Sequence, residues 1–292
     1  MTKFVTAARA SEPTRDRSRA IGAILVEQGR LTPDEVERIQ LYADKNGVRF
    51  GDAALSMQLL TQSDIDLAIS QQFNYPILQR GIDGVSDDVI AAYLPQSVMV
   101  EPLRVLRSQL SLRWAGDAEK KILAITSPGR SEGRSWLAAN LATVFAQKGE
   151  RTLLIDADMR HPRQHQLFNL DNSVGLSALL TGRAGREIVA RIHPRLRLFV
   201  LPAGLLPPNP QELLGRPVFD VILSLFADQF DLIIIDTPAA SEAADAQILA
   251  ARAGAAIMIA RRNHTRRKEL AAAMQDLMHS GINVIGTVIN EF

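Results

Sequence analysis

Six short aliphatic runs constrain this chain more than any other feature. Ile122–Thr126, Thr152–Ile155, Leu196–Leu201, Leu232–Ile235, Ala255–Ala260 and Val284–Ile289 are rich in β-branched and aliphatic residues without polar alternation. A strand with one wet face alternates, whereas a strand buried on both faces does not. Stretches of helical length separate most of the runs, and strand–helix alternation of that kind builds a parallel sheet covered by helices. The pattern predicts a doubly wound, mostly parallel α/β domain over residues 101–292. It opens with a helix from Glu101 to about Trp114 whose Leu103, Leu106 and Leu110 share a face.

The region before it is built differently. AIGAILVEQGRLTPDEVERIQLYA (20–43) and RFGDAALSMQLLTQSDIDLAISQQ (49–72) align at an offset of 29, matching Gly22 to Gly51, Leu31 to Leu60, Thr32 to Thr61 and Val36 to Ile65. Each copy reads as helix, turn, helix. Thr32 and Thr61 are the expected N-caps; Glu35 completes a capping box with Thr32, and Pro33 takes the first helical position. A small helical domain is predicted over 19–80. Residues 1–18 are expected as a disordered tail, and the Pro-, Gly- and Asp-containing stretch 81–100 as a linker.

Composition removes several classes of function. The 292 residues include 33 Lys+Arg against 32 Asp+Glu, so no basic excess points to nucleic acid. With no cysteine, disulfides, thiolate metal sites and cysteine nucleophiles are excluded. No run approaches the roughly twenty apolar residues of a membrane span, and the first eighteen residues lack the apolar core of a signal peptide. A cytoplasmic location is expected, with any membrane association arising through a partner. His161 and His165 lie four apart, but Pro162 intervenes and no glutamate follows His161, so a metalloprotease reading fails. The basic run Arg261, Arg262, Arg266, Arg267, Lys268 reads as a solvated helix start, the alternative being that one arginine faces phosphate or a neighbouring subunit.

The chemistry concentrates where the first aliphatic run ends, in TSPGRSEGRSWLAANLA (126–142). A glycine-rich turn from a buried strand into a helix aims backbone N–H groups and the positive end of the helix dipole at one point, a natural place for phosphate. The usual spacing is G-x-x-x-x-G-K-[ST]. Here Pro128 stands where the first glycine is expected, Gly129 follows one residue late, and Arg134 replaces the lysine; Ser135 is in place to ligate Mg²⁺. On the loop alone, a purely structural strand–turn–helix corner competes with this reading. LLIDADMR (153–160) and IIIDTP (233–238) tip the balance, since they place Asp156, Asp158 and Asp236 at the ends of two further buried strands. Strand carboxyl ends line the ligand crevice of an open α/β sheet. Carboxylates there suit Mg²⁺ binding and proton acceptance.

Together these motifs resemble those of the bacterial tyrosine kinases (BY-kinases) that control polysaccharide polymerisation and export, a branch of the MinD/ParA-like P-loop proteins. LLIDADMR matches their second acidic motif, aliphatics followed by D-x-D-x-R. IIIDTPA matches their Walker B motif except that Ala239 replaces the last proline. Glu101, Arg104 and Arg107 match the E-x-x-R-x-x-R element through which such kinases self-assemble into rings. The likeness runs from about residue 97 to the C-terminus and is greatest to chain-length-determinant kinases of exopolysaccharide clusters, some of which share the S-P-G-R-x-E-G-R-S loop. It implies that Gly129, Arg130, Ser131, Glu132, Gly133, Arg134, Ser135 and Trp136 hold ATP, that Ser135, Asp158 and Asp236 hold Mg²⁺, and that Asp156 accepts the tyrosine proton, with Arg134 and Asp158 also in the catalytic set. Asn290 matches the position where P-loop relatives contact the purine.

The resemblance also implies a separate membrane co-polymerase, or chain-length determinant, as activator and recruiter to the inner face of the membrane, and a protein tyrosine as substrate. Such kinases carry a C-terminal tyrosine cluster, whereas this sequence ends in INEF and holds only Tyr42, Tyr75 and Tyr93. The acceptor is then on another protein or among these three, or tyrosine transfer is lost and the chain is a MinD/ParA-like ATPase assembly switch. The repeat at 19–80 separately resembles the N-terminal domain of type II secretion and pilus ATPases, which can bind cyclic di-GMP. Arg49, Gly51 and Gln72 would be its ligand residues, although Ala20, Ala43 and Gln58 depart from that pattern. A protein-docking or purely structural module is the competing expectation, and a cyclic di-GMP-responsive scaffold the third function to test.

Overall fold

A computed structural model describes residues 21–73, 75–94, 96–114 and 121–291, in two compact units, Met1–Pro76 and Ile77–Phe292. The tail expected at 1–18 lies outside the described residues.

The first unit holds α1 (21–27), α2 (Pro33–Asn46), α3 (Phe50–Ser56) and α4 (Gln62–Gln72). Its core gathers Leu25, Ile39, Phe50, Ala53, Leu60 and Ala68. The internal repeat is visible in its contacts. A Cβ on Gly22 would lie 2.8 Å from Val36, and one on Gly51 would lie 3.4 Å from Ile65, the same helix pair one repeat later. These glycines let the paired helices approach closely. Both threonines cap as expected, and Asp64 closes a second capping box with Thr61 beside the expected one of Thr32 and Glu35. Asp64 also meets Arg30 at 3.3 Å.

The turn inside each copy needs a left-handed residue. Gly29 supplies it at φ 66° and Gln58, its repeat equivalent, at φ 57°. An L side chain in that region costs about 1–2 kcal/mol, offset in part by the entropy of a glycine in the unfolded chain. Gln58→Gly is therefore expected to stabilise this unit by about 1 kcal/mol, read as a higher thermal midpoint. An unchanged or lowered midpoint would contradict this account of the turn.

The second unit begins with the stretch expected as a linker, and that stretch belongs to its core. Val85, Val89, Ala91, Ala92 and Tyr93 are buried, the last three within α5 (Ile90–Tyr93). After α6 (Glu101–Arg113) come β1 (Ile122–Thr126), α7 (Arg134–Gln147), β2 (Thr152–Asp156), α8 (Gln164–Leu167), α9 (Leu176–Leu180), β3 (Ala190–His193), β4 (Leu196–Leu201), α10 (Pro210–Leu214) and α11 (Pro217–Ala227). β5 (Leu232–Asp236), α12 (Asp245–Ala253), β6 (Ala255–Arg261), α13 (Arg267–His279) and β7 (Asn283–Asn290) complete it. Two polar side chains of α7 fasten the supposed linker. Asn140 Oδ1 accepts from the Ala91 N–H at 3.0 Å while its Nδ2 donates to the Asp88 carbonyl at 3.0 Å, and Gln147 Nε2 donates to the Ala91 carbonyl at 2.7 Å.

The strands form one seven-stranded sheet in the order β3-β4-β2-β5-β1-β6-β7, parallel except for the β3–β4 pair. β1, β2 and β5 are central, so their carboxyl ends open onto one crevice. β2 and β5 are buried throughout, as their unbroken aliphatic runs require. β7 differs from the expectation of two buried faces, because it is an edge strand and mostly half or fully exposed. β3 was not anticipated: ARIH is short, carries charge and pairs antiparallel at the opposite edge. α7 is buried from Leu137 to Gln147. A helix apolar nearly all round belongs inside a domain, and this one carries the glycine loop at its N-terminus.

Candidate active site

Gly133 turns the loop into α7 at φ 101°, a conformation open to glycine, while Ser131 sits at φ 57° without that freedom. Both ends of the loop are held. Gly129 N–H donates to Glu132 Oε2 at 2.9 Å, Thr265 donates to Glu132 Oε1, and Asn290 Nδ2 donates to the Glu132 carbonyl at 3.0 Å. Asn290 thus meets the loop directly, and Thr265, which the sequence reading missed, ties the β6–α13 turn to it. Arg130 Nε reaches Glu242 at 3.2 Å, and the Ser131 carbonyl accepts from Arg261 at 3.2 Å.

Arg134 lies folded beneath the loop. Its Nε donates to the Thr237 carbonyl at 2.9 Å, and its Nη1 donates to the Gly129 carbonyl at 2.6 Å and to the Ser127 hydroxyl. Nη2 lies 3.9 Å from Asp158 Oδ2. A planar guanidinium presents its donors in one fixed fork, whereas an ammonium is a compact point charge with three rotatable donors.

The acids of the two motifs come together. Asp156 on β2 and Asp236 on β5 are register partners on adjacent strands, and both are fully buried. Asp156 Oδ2 accepts from the N–H groups of Arg163 at 3.0 Å and Gln164 at 2.9 Å. Asp236 Oδ2 accepts from Gln164 Nε2 at 2.8 Å. Oδ1 of each has no partner among the described residues. Burial, then the charge of Asp236, pushes Asp156 well above the ordinary carboxylate range. Burial raises Asp236 to about 6, against the pull of Gln164, Ser135 and the Arg134 charge. Asp158 is buried and accepts from the His161 N–H at 2.9 Å. Arg160, which ends the D-x-D-x-R motif, donates to the buried Asp245 at 2.9 Å, a partner the sequence reading did not identify. Asp158, His161 and Glu242 bring one ligand atom each to within 4.8 Å of one another. His161, set aside on sequence grounds, therefore borders the site.

A cavity of about 630 Å³ opens over this arrangement. The loop residues 130–135, Trp136, Asp158, Arg163 and Arg261 line it, and Asp87 and Asp88 come from the segment expected as linker. The volume falls within the range of small-molecule sites. The buried carboxylates of Asp158 and Asp236, the latter with Oδ1 to spare, beside the Ser135 hydroxyl form an all-oxygen donor set that fits a hard divalent cation such as Mg²⁺.

The remaining expected residues lie apart from the cavity. Glu101 and Arg104 pair at 3.1 Å on α6, whereas Arg107 donates to the Val144 carbonyl of α7 at 2.9 Å. The charges expected on one helical face thus divide, since Arg107 is engaged within the chain. In the first unit, Arg49 is exposed at the start of α3, Gln72 ends α4, and Gly51 packs against Ile65. Tyr93 is buried and donates to the Val85 carbonyl, and burial raises its phenol to about 12; Tyr42 is 39% exposed. No helix among the described residues is long and apolar enough to cross a membrane.

Comparison with known proteins agrees with this geometry. Residues 123–292 match the model of the CobQ/CobB/MinD/ParA nucleotide binding domain. The tyrosine-protein kinase YwqD of Bacillus subtilis is 36% identical over 203 residues, 70% of this chain and 85% of that protein. EpsB of Ralstonia solanacearum is 37% identical over 202 residues, 69% of this chain but only 27% of EpsB, so the chain spans little more than a quarter of that relative. The solved kinase domain of the Escherichia coli tyrosine kinase ETK shares 33% identity at a TM-score of 0.66, covering 70% of this chain and 79% of that one. With the loop, the paired strand-end acids and the sheet order all in place, the chain belongs to the CobQ/CobB/MinD/ParA nucleotide-binding family, in its bacterial tyrosine-kinase branch.

Proposed function

We propose that this chain is an ATP-dependent protein-tyrosine kinase acting in exopolysaccharide polymerisation, chain length and export. The observation that carries the reading is the meeting of Asp156, Asp158 and Asp236 with the Ser127–Ser135 loop at one end of the sheet. Phosphoryl transfer needs little covalent chemistry from the protein; it needs positioning and charge neutralisation. Loop residues Gly129 to Ser135 surround the ATP phosphates, with Trp136 beside them and Asn290 toward the purine. Arg134 exchanges loop carbonyls for phosphate oxygens, a trade its planar fork suits. Ser135, Asp158 and Asp236 hold Mg²⁺, which neutralises charge on the terminal phosphates when bound. Asp156 accepts the tyrosine proton, a role that its raised affinity for protons favours.

The buried Tyr93 is unsuited as acceptor, so Tyr42, Tyr75 or a tyrosine on a partner protein is the candidate. Glu101 and Arg104 carry self-association into a ring, with Arg107 anchoring their helix. A membrane co-polymerase supplies activation and brings the chain to the inner face of the membrane. The repeat unit acts as a docking or cyclic di-GMP-sensing module akin to that of secretion ATPases; a titration showing no saturable uptake of the dinucleotide removes the sensing role.

One observation favours a second reading, an ATP-driven assembly switch. The Arg134 guanidinium is already occupied by Ser127, Gly129 and Thr237, an arrangement that can hold nucleotide without advancing transfer. Incubation with radiolabelled ATP, Mg²⁺ and the cytoplasmic segment of the membrane partner separates the two. Label on tyrosine is expected, and ATP turnover without it would leave only the switch.

A further inference from the structure

We infer that Gln164 is a positioning residue of the metal–nucleotide site, tying both strand-end carboxylates and the first turn of α7 into one unit that leaves Asp236 Oδ1 for a divalent cation and Asp156 Oδ1 for the substrate proton. The inference rests on the phosphoryl-transfer reading and adds to it a residue outside the loop and both acidic motifs.

Gln164 is fully buried at the start of α8. Its Nε2 donates to Asp236 Oδ2 at 2.8 Å and to the Ser135 carbonyl at 3.1 Å, and its backbone N–H donates to Asp156 Oδ2 at 2.9 Å. Both neighbours of the carboxamide are acceptors, so the network itself sets its orientation, nitrogen toward them. One side chain thereby connects β5 to the residue whose hydroxyl is assigned to the cation, and the same residue's backbone connects to β2.

Register-partner carboxylates on adjacent strands repel, and either can rotate away. Hydrogen bonds that engage Oδ2 of each leave Oδ1 of each unengaged, and both Oδ1 atoms are buried without a partner among the described residues. Gln164 Oε1 is buried without a partner as well. Buried polar atoms are rarely left so in a working state. A small hydrated cation, which keeps several of its waters, would meet that need at Asp236 and at the Gln164 amide oxygen, while Asp156 Oδ1 stays open to the substrate proton. Gln164 touches neither substrate nor reacting atoms in this account; it acts through Asp156, Asp236 and Ser135.

Gln164→Met keeps side-chain length and removes the carboxamide. Two quantities are to be measured: ADP affinity in EDTA by calorimetry, and Mn²⁺ affinity of the ADP complex from the free-Mn²⁺ electron paramagnetic resonance signal. Metal-free ADP affinity is expected within about twofold of wild type, and Mn²⁺ affinity at least about tenfold weaker, the scale of losing an outer-shell partner. Gln164→Asn, which keeps the amide but shortens its reach, carries the same expectation should the first variant not fold. Unchanged Mn²⁺ affinity in a folded variant overturns the inference while leaving the kinase reading intact, since Gln164 would then merely fasten α8. Failure of the wild type to take up ADP at all overturns the nucleotide reading and this inference together.

Discussion

Asp156→Asn is expected to abolish tyrosine phosphorylation and at the same time to raise the melting temperature of the nucleotide-free protein. Removing a positioned proton acceptor costs about 10²–10⁴ in rate. The stability gain follows from the placement of the group. Asp156 is fully buried and register-paired with Asp236, so its charge is disfavoured first by burial and then by its neighbour. The asparagine amide keeps an oxygen for the Arg163 and Gln164 N–H groups and carries no charge. Relief of about 1–3 kcal/mol is expected at neutral pH, and each kcal/mol moves the midpoint by about 2–4 °C in a domain of this size.

The pH dependence has a definite sign. Both acids bind protons more tightly folded than unfolded, so between the unfolded value of 3.8 and the folded value of about 6 for Asp236 the native state holds the extra proton. The contribution of this pair then falls as pH rises through that window and is fully present below it. The wild-type midpoint should climb on acidification from pH 7.5 to about 5, and Asp156→Asn should flatten that climb. A variant that melts below wild type at pH 7.5 would show that the Asp156 charge stabilises the fold, contrary to this account.

Arg134→Ala is expected to lose both nucleotide and stability. In the resting protein the guanidinium satisfies Thr237, Gly129 and Ser127 and lies beside Asp158, so its removal strands acceptors in a buried cluster already rich in acids. Leaving buried groups without a donor or a balancing charge costs about 2–4 kcal/mol. Loss of the loop's cation should weaken Mg·ADP binding at least about 100-fold, equivalent to about 2.7 kcal/mol. Arg134→Lys retains the charge but not the fork, and should bind within about tenfold of wild type. Calorimetry on the two variants beside a thermal melt decides the matter. Equal nucleotide affinity in wild type and Arg134→Ala would remove Arg134 from the phosphate site.

Much of the site was legible because its signals are local. Asp156 and Asp236 each end an unbroken aliphatic run, the pattern of a strand buried on both faces, although β7 carries such a run at an exposed edge. Ser135 and Gly133 follow the first run at loop spacing, and the capping threonines precede their helices directly. Other parts escaped for physical reasons. β3 is short, charged and half-exposed, so it carries no buried-strand pattern. The stretch from Val85 to Tyr93 resembled a linker because what fastens it is side-chain to backbone bonding from Asn140 and Gln147, about fifty residues downstream in the chain. Gln164 had no motif of its own, since a polar residue four positions past D-x-D-x-R reads as surface until the fold buries it.

The sequence by itself determined six of the seven strands among the described residues, the parallel α/β class, the internal repeat and the candidate loop and acids, because hydrophobic period, caps and glycine spacing act within a few residues. Only the tertiary structure decided that Asp156 and Asp236 stand side by side, that Arg134 folds under its own loop, that Arg107 turns inward to α7 and that Gln164 joins the acids. Those outcomes depend on which strands become neighbours in the sheet. That order is set by packing summed over the whole domain, which no local pattern records.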